Sequence, residues 1–198
     1  MSLILSGLPS TEVTILQTLH QNLIAALRKA SNEMKLAANG QTTQSTGFSQ
    51  TWFGDVSPNW LRALAKDLSK SASLINVMPI KIHAAPLSER VDAYACSLIK
   101  RKEDQEYARK NNPLTIAKGK HFEIELHKKW FKAPVFRTPN NPDSRFQTLM
   151  HEISHIFLCT KDQPSSEGVD TCKLLAQFLS PVAKTNADNW GYFVEEFR

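Results

Sequence analysis

Two histidines four positions apart, His151 and His155, with Glu152 beside the first, constrain this chain more than any other feature, because only a helix lets one short segment use all three. With about 3.6 residues per turn, positions i and i+4 share a face, and the intervening carboxylate sits roughly 100° around the cylinder. The flanks carry the same period. Asp143-Ser144 offers an N-cap, and Phe146, Leu149, Met150, Ile153 and Phe157 recur as an apolar stripe. Both rings then flank a buried face, where polar groups need partners, and one divalent ion serves two imidazoles at once.

The spacing is that of the HExxH pattern, in which two histidines bind zinc and the glutamate works as a base. Zinc draws the pKa of a bound water towards neutrality, and a carboxylate beside it can take the proton and hand it to a leaving amine. A surface helix carrying the same residues by coincidence is the competing reading, and the apolar stripe argues against it. Catalytic zinc takes three protein ligands and leaves one position open, so a third group must come from elsewhere. No histidine follows His155, and the nearest downstream carboxylates are Asp162, Glu167 and Asp170.

Around this segment the chain reads as one α+β domain. Its 198 residues suit a single sizeable core, and 41% hydrophobic with 22% charged residues is ordinary for a soluble globular protein. A helix is expected from Ser10-Thr11-Glu12 to Asn39-Gly40, with Leu16, Leu19, Leu23, Leu27, Ala30 and Met34 inward. Gln41 to Ser49 is polar and reads as a loop. Ser57-Pro58 then caps a second helix carrying Leu61, Leu64, Ala65, Leu68 and Ile75.

Alternation over Pro79 to Ala84 and His121 to Leu126, with a weaker signal over Ala93 to Ile99, predicts a small sheet. The charged stretch Lys100 to Pro113 reads as an exposed helix or an insertion at the sheet edge. A last helix is expected over Thr171 to Leu179, stopped by Pro181 and followed by an acidic-aromatic tail.

The net charge of +5 is mild and interleaved with acids, which reads as a solvated basic face without a nucleic-acid partner. No apolar run is long enough to span a membrane, and no signal peptide is recognisable at the start. Three cysteines leave at least one thiol unpaired within the chain; Cys159 and Cys172 could be a disulfide or two buried thiols. His20, His83, His121 and His127 show no ligand spacing and read as surface or core residues.

Beyond the helix, Thr160-Lys161-Asp162 resembles the Thr-x-Asp element of the aspzincins, the deuterolysin and peptidyl-lysine metalloendopeptidase family of zinc proteases. Trp52-Phe53-Gly54 looks like that family's Trp-Phe-Gly, and Ala93-Tyr94-Ala95 and Ile124 to Phe131 look like its central sheet. Asn186-Ala187-Asp188-Asn189 with Tyr192-Phe193 is similar to its C-terminal signature. The resemblance covers most of residues 50 to 197.

It implies a zincin-like single domain over 1–198, with an N-terminal helix and linker over 1–45 and a catalytic region over 46–198. It further implies zinc held by His151, His155 and Asp162, with Glu152 as general base for endoproteolysis. Asp188 and Tyr192 are the implied substrate-binding residues.

The sequence also departs from the family. Glu167-Gly168 stands where relatives carry Tyr-Gly, whose tyrosine stabilises the oxyanion, and a carboxylate does not donate that hydrogen bond. Tyr192, Ser165 and Ser166 are the substitutes the sequence offers. Gly191 stands where lysine-directed relatives carry a second acid, and His127 where many carry a cysteine.

The expectation is therefore a monomeric zinc endopeptidase acting on protein or peptide substrates. Export by a non-classical route as a toxin or effector, with an inhibitor or immunity protein as partner, is an accompanying expectation; a cytoplasmic location stays open. A zinc hydrolase of peptidoglycan peptides and a catalytically inactive metal-binding module are the alternatives.

Overall fold

The computed structural model describes residues 3–41, 44–97, 122–163 and 168–198. Four strands, β1 (Leu3–Ser6), β2 (Ile80–Ala84), β3 (Ala95–Ser97) and β4 (Phe122–Leu126), form one sheet in the order β1-β2-β4-β3. β1 and β4 lie parallel to β2, while β3 runs antiparallel to β4 and is the edge strand among the described residues. The alternation read from the sequence sets the faces. Ile80, Ile82, Phe122, Ile124 and Leu126 turn into the core, and Lys81, His83, Glu123 and Glu125 turn the other way.

Among the described residues the helices are α1 (Ser10–Ala38), α2 (Gln44–Phe53), α3 (Pro58–Val77), α4 (Arg145–Leu158), α5 (Val169–Phe178), α6 (Ser180–Ala183) and α7 (Ala187–Glu195). In α1 every residue of the expected stripe is buried, and α1 packs along α3. Ser57 caps α3 by accepting from the Trp60 amide, with Pro58 at the first helical position. A fully packed aromatic group of Trp52, Phe53, Trp190, Tyr192 and Phe193 joins α2 to α7.

Three segments differ from the sequence reading. Much of the supposed loop over Gln41 to Ser49 belongs to α2, whose polar residues are held from outside. Ser49 donates to the Asp55 carbonyl and accepts from the Trp60 indole, while Trp52 and Phe53 fill the core. The supposed tail is α7, buried against α4. The start of the chain adds β1, too short to signal itself by alternation. The last predicted helix is α5, shifted by one or two residues, as boundaries commonly are. Lys100 to Pro113, His121, Ser165, Ser166 and Glu167 lie outside the described residues.

Two glycines are required by close approach. A Cβ on Gly54, at φ 66°, would lie 1.8 Å from the Ala176 carbonyl oxygen. One on Gly191 would lie 2.8 Å from the Gln147 carbonyl oxygen, so this glycine lets α7 sit directly on α4.

Candidate metal centre

Helix α4 presents the site. Ser144 caps it by accepting from the Gln147 amide at 3.0 Å, and Arg145 anchors its first turn. The Arg145 guanidinium pairs with buried Glu12 on α1 at 2.9 and 3.1 Å and also donates to the carbonyls of Ala133 and Phe131. Glu12 accepts from the Trp130 indole as well, at 2.7 Å. A buried charge pair with each partner further hydrogen-bonded is the arrangement low dielectric demands.

At the other end, Cys159 ends α4 in the left-handed region, at φ 55°. A non-glycine residue there carries strain of order 1–2 kcal/mol, compensated by the turn it makes. That turn aims the Thr160 carbonyl back at His155, and the Thr160 hydroxyl lies 2.6 Å from that of Ser154. Lys161 then pairs through its backbone with Thr185 and Ala187, tying the following residue to the start of α7.

The outcome is a convergence. The Nε2 atoms of His151 and His155 lie 3.1 Å apart, and Asp162 Oδ1 lies 3.0 Å from the first and 3.1 Å from the second. The outer nitrogens are occupied by acceptors: His151 Nδ1 by Asp188 Oδ1 at 2.7 Å, His155 Nδ1 by the Thr160 carbonyl at 2.9 Å. Acceptors at both Nδ1 positions fix the Nδ1–H tautomers and turn two Nε2 lone pairs towards Asp162. Two nitrogens and one carboxylate oxygen with their outer atoms already held are a donor set that fits zinc. Among the described residues this is the group of three ligating side chains whose ligand atoms lie within 4.8 Å of one another.

Glu152 sits beside it, almost wholly buried, and its Oε2 accepts from the Ser97 amide on edge strand β3 at 2.6 Å. Without a metal, burial disfavours the His151 imidazolium, but Asp162 and Asp188 accept from it and Glu152 adds negative charge, raising its pKa to about 10. Hydrogen bonds from His151 and His155 hold the Asp162 carboxyl well below the usual carboxylate range. The shifts express an excess of negative charge around the two imidazoles.

Asp188 lies in the wall of a cleft of about 710 Å³ over these residues and also accepts from the Gln147 side chain at 2.9 Å. Tyr192 is placed otherwise than as a substrate contact. It is 1% exposed, stacks on Trp52 and donates to Asp143 at 2.5 Å, because α7 buries that face against α4. The described tyrosine that does line the cleft is Tyr94, whose hydroxyl donates to the other Asp143 oxygen at 3.1 Å. Burial, then the Asp143 charge and hydrogen bond, push its pKa up to about 12, so the phenol stays protonated.

No disulfide joins Cys96, Cys159 and Cys172, so of the two alternatives for Cys159 and Cys172 the structure has separate thiols. Asn186 and Asn189 brace the fold: Asn189 donates to the Trp52 and Cys172 carbonyls and accepts from Asn186. Sequence reasoning missed the contacts of Glu152 with a backbone amide and of His155 with a carbonyl, which no residue type announces. It also missed the grip of Asp188 on His151, which spans 37 positions.

A family model described as lysine-specific metallo-endopeptidase, the aspzincin family, matches residues 37–195. Among solved structures, a zinc peptidase from Grifola frondosa is similar in fold, with a TM-score of 0.54 and 22% identity over 96% of this chain and 97% of that one. No curated protein matches the chain by sequence.

Proposed function

This chain belongs to the aspzincin family of metallo-endopeptidases and is a zinc metallopeptidase, and on that premise we propose that it cleaves protein or peptide substrates in the cleft over His151, Glu152 and His155. In this reading His151, His155 and Asp162 hold the ion, which when bound polarises the scissile carbonyl and acidifies a neighbouring water. The rest falls to the chain's own residues. Glu152 takes the proton of the attacking water and returns it to the leaving amine, with its carboxylate oriented by the Ser97 amide. Asp188 and the Thr160 carbonyl hold the two imidazoles in place.

Edge strand β3 lines the same cleft beside Glu152, and an extended peptide can add to such an edge through its backbone. The lining carries Asp92, Asp143, Glu152, Asp162 and Asp188 against Lys129 and Lys161, which favours a basic side chain next to the scissile bond. For the oxyanion we assign Tyr94, a protonated phenol in the cleft wall that would turn its one O–H from Asp143 to the substrate, in place of the buried Tyr192.

The observation that carries this reading is the mutual approach of two Nε2 atoms and one carboxylate oxygen with both Nδ1 atoms already engaged. The test is metal removal. Chelator-treated protein should lose hydrolysis of a mixed peptide pool and regain it with one equivalent of zinc. Undiminished cleavage by the metal-free protein would overturn the reading.

A further inference from the structure

Helices α1 and α3 pack along one another, and at one point the Ser31 hydroxyl of α1 donates to the Ala65 carbonyl of α3 at 2.8 Å. Beside this contact lies a groove of about 500 Å³. Its lining has four cations, Lys35 on α1 and Arg62, Lys66 and Lys70 on α3, and otherwise only alanine and serine. The one acid of α3, Asp67, is not part of it, and the groove shares no residue with the cleft over His151.

Like charges four positions apart on a helix repel and weaken it. Arg62, Lys66 and Lys70 repeat that unfavourable spacing twice, and Lys35 adds a fourth positive charge from α1. The fold does not offset it. Among the described residues Lys35, Arg62 and Lys66 have no acidic partner, and Arg62 donates only to the Asn59 side chain at 3.3 Å. Lys81, Arg137, Arg145 and Lys184, by contrast, each face a carboxylate. A local rule broken on an exposed face without internal compensation points to a partner that supplies the missing charge.

The row of cations also has a period. Positions four apart on a helix are separated by about 6 Å along its axis, close to the roughly 6.6–6.8 Å between alternate residues of an extended chain. Side chains at alternate positions of such a chain share one face, so carboxylates there can meet Arg62, Lys66 and Lys70 in turn. The lining offers no aromatic ring on which a base of single-stranded nucleic acid would stack, and no large apolar side chain to anchor it in a membrane.

We propose that this groove docks an extended acidic segment of a protein partner, with alternate carboxylates on Arg62, Lys66 and Lys70 and with Lys35 closing on them from α1. The surface is separate from the cleft and does not rest on the peptidase reading.

The test is fluorescence anisotropy of a labelled peptide of alternating glutamate and serine, titrated with the full chain at about 150 mM salt. Binding should saturate and should weaken as salt rises. Lys66→Glu should lower affinity about tenfold or more, because it sets like charge against like. The same substitution should not lower the melting temperature, since it removes both repulsive pairs from α3. Lys35→Ala, on the other helix, should weaken binding as well. Lys128→Glu, at an exposed cation outside the groove, should keep the wild-type affinity.

Absence of saturable binding, equal losses in Lys66→Glu and Lys128→Glu, or tighter binding of oligothymidylate or of phosphatidylserine vesicles than of the peptide overturns the proposal. None of these results touches the catalytic reading, whose own test is metal removal.

Discussion

Asp188 and Asp162 take opposite nitrogens of one imidazole: the first lies 2.7 Å from His151 Nδ1, the second 3.0 Å from Nε2. Their backbones are placed together by the bridge between Lys161 and Asn186, which ties the ligand loop to the start of α7. Outer partners of metal-bound histidines commonly contribute 10–100-fold to metal affinity. Asp188→Asn should therefore weaken zinc binding by about that factor, and Asp162→Ala, which removes a ligand outright, by more. Competition titration with a chromophoric chelator measures both. Equal affinity in all three proteins would remove Asp162 from the ligand set.

Proton competition should make zinc affinity depend on pH. In the metal-free protein the His151 pKa is raised to about 10 from 6.5, so zinc must displace a proton throughout the neutral range. Apparent affinity should rise about tenfold per pH unit there. The stability of the metal-free protein should move the other way. A raised histidine pKa contributes stability that is fully present below about pH 6.5 and is lost as pH rises through about 10. Asp162, depressed, contributes above the usual carboxylate range and loses that contribution as pH falls. Melting curves of chelator-treated protein across this range check the signs; a His151→Ala variant should lose the alkaline decline.

Glu12 belongs to α1, yet its partner Arg145 opens the helix that carries the site. Removing one member of a buried pair strands the other charge, at a cost of about 3–5 kcal/mol. Glu12→Ala should show a loss of that size in denaturant unfolding. A loss under about 1 kcal/mol would mean the pair is solvated and unimportant.

Tyr94 separates oxyanion stabilisation from simple packing. Removal of one such donor costs about 10²–10³ in kcat. Tyr94→Phe should lower kcat by that range with KM little changed, because the donor acts on charge that develops only in the transition state. Unchanged kcat with a modest drop in stability would make the phenol a partner of Asp143 and nothing more.

The parts of the fold legible in the sequence were those whose burial is periodic. The stripe of α1, the Ser57-Pro58 start of α3, the alternation of β2 and β4 and the Ser144 cap of α4 all repeat at their element's own period. Helix α2 was illegible because Gln44 to Ser49 has no such stripe. It is stabilised by Trp60 and Asp55, from the next helix and the turn before it.

In the site, His151, Glu152 and His155 declared themselves by local spacing, whereas Asp188 reaches His151 only through tertiary packing. Tyr192, a substrate contact by resemblance, became core because Gly191 brings α7 onto Gln147. His83 reaches Glu125 only through strand pairing, which no spacing in the chain announces, whereas His127 stands two residues from it.

Glu152 is where metal binding and bond cleavage part company, since it touches the Ser97 amide and is outside the ligand set. The most direct measurement is the peptide hydrolysis rate of Glu152→Gln at confirmed full zinc occupancy of the His151 centre. General-base loss predicts a fall of about 10²–10⁴ in kcat with zinc retained. A zinc-loaded Glu152→Gln protein that cleaves at the wild-type rate would contradict the account.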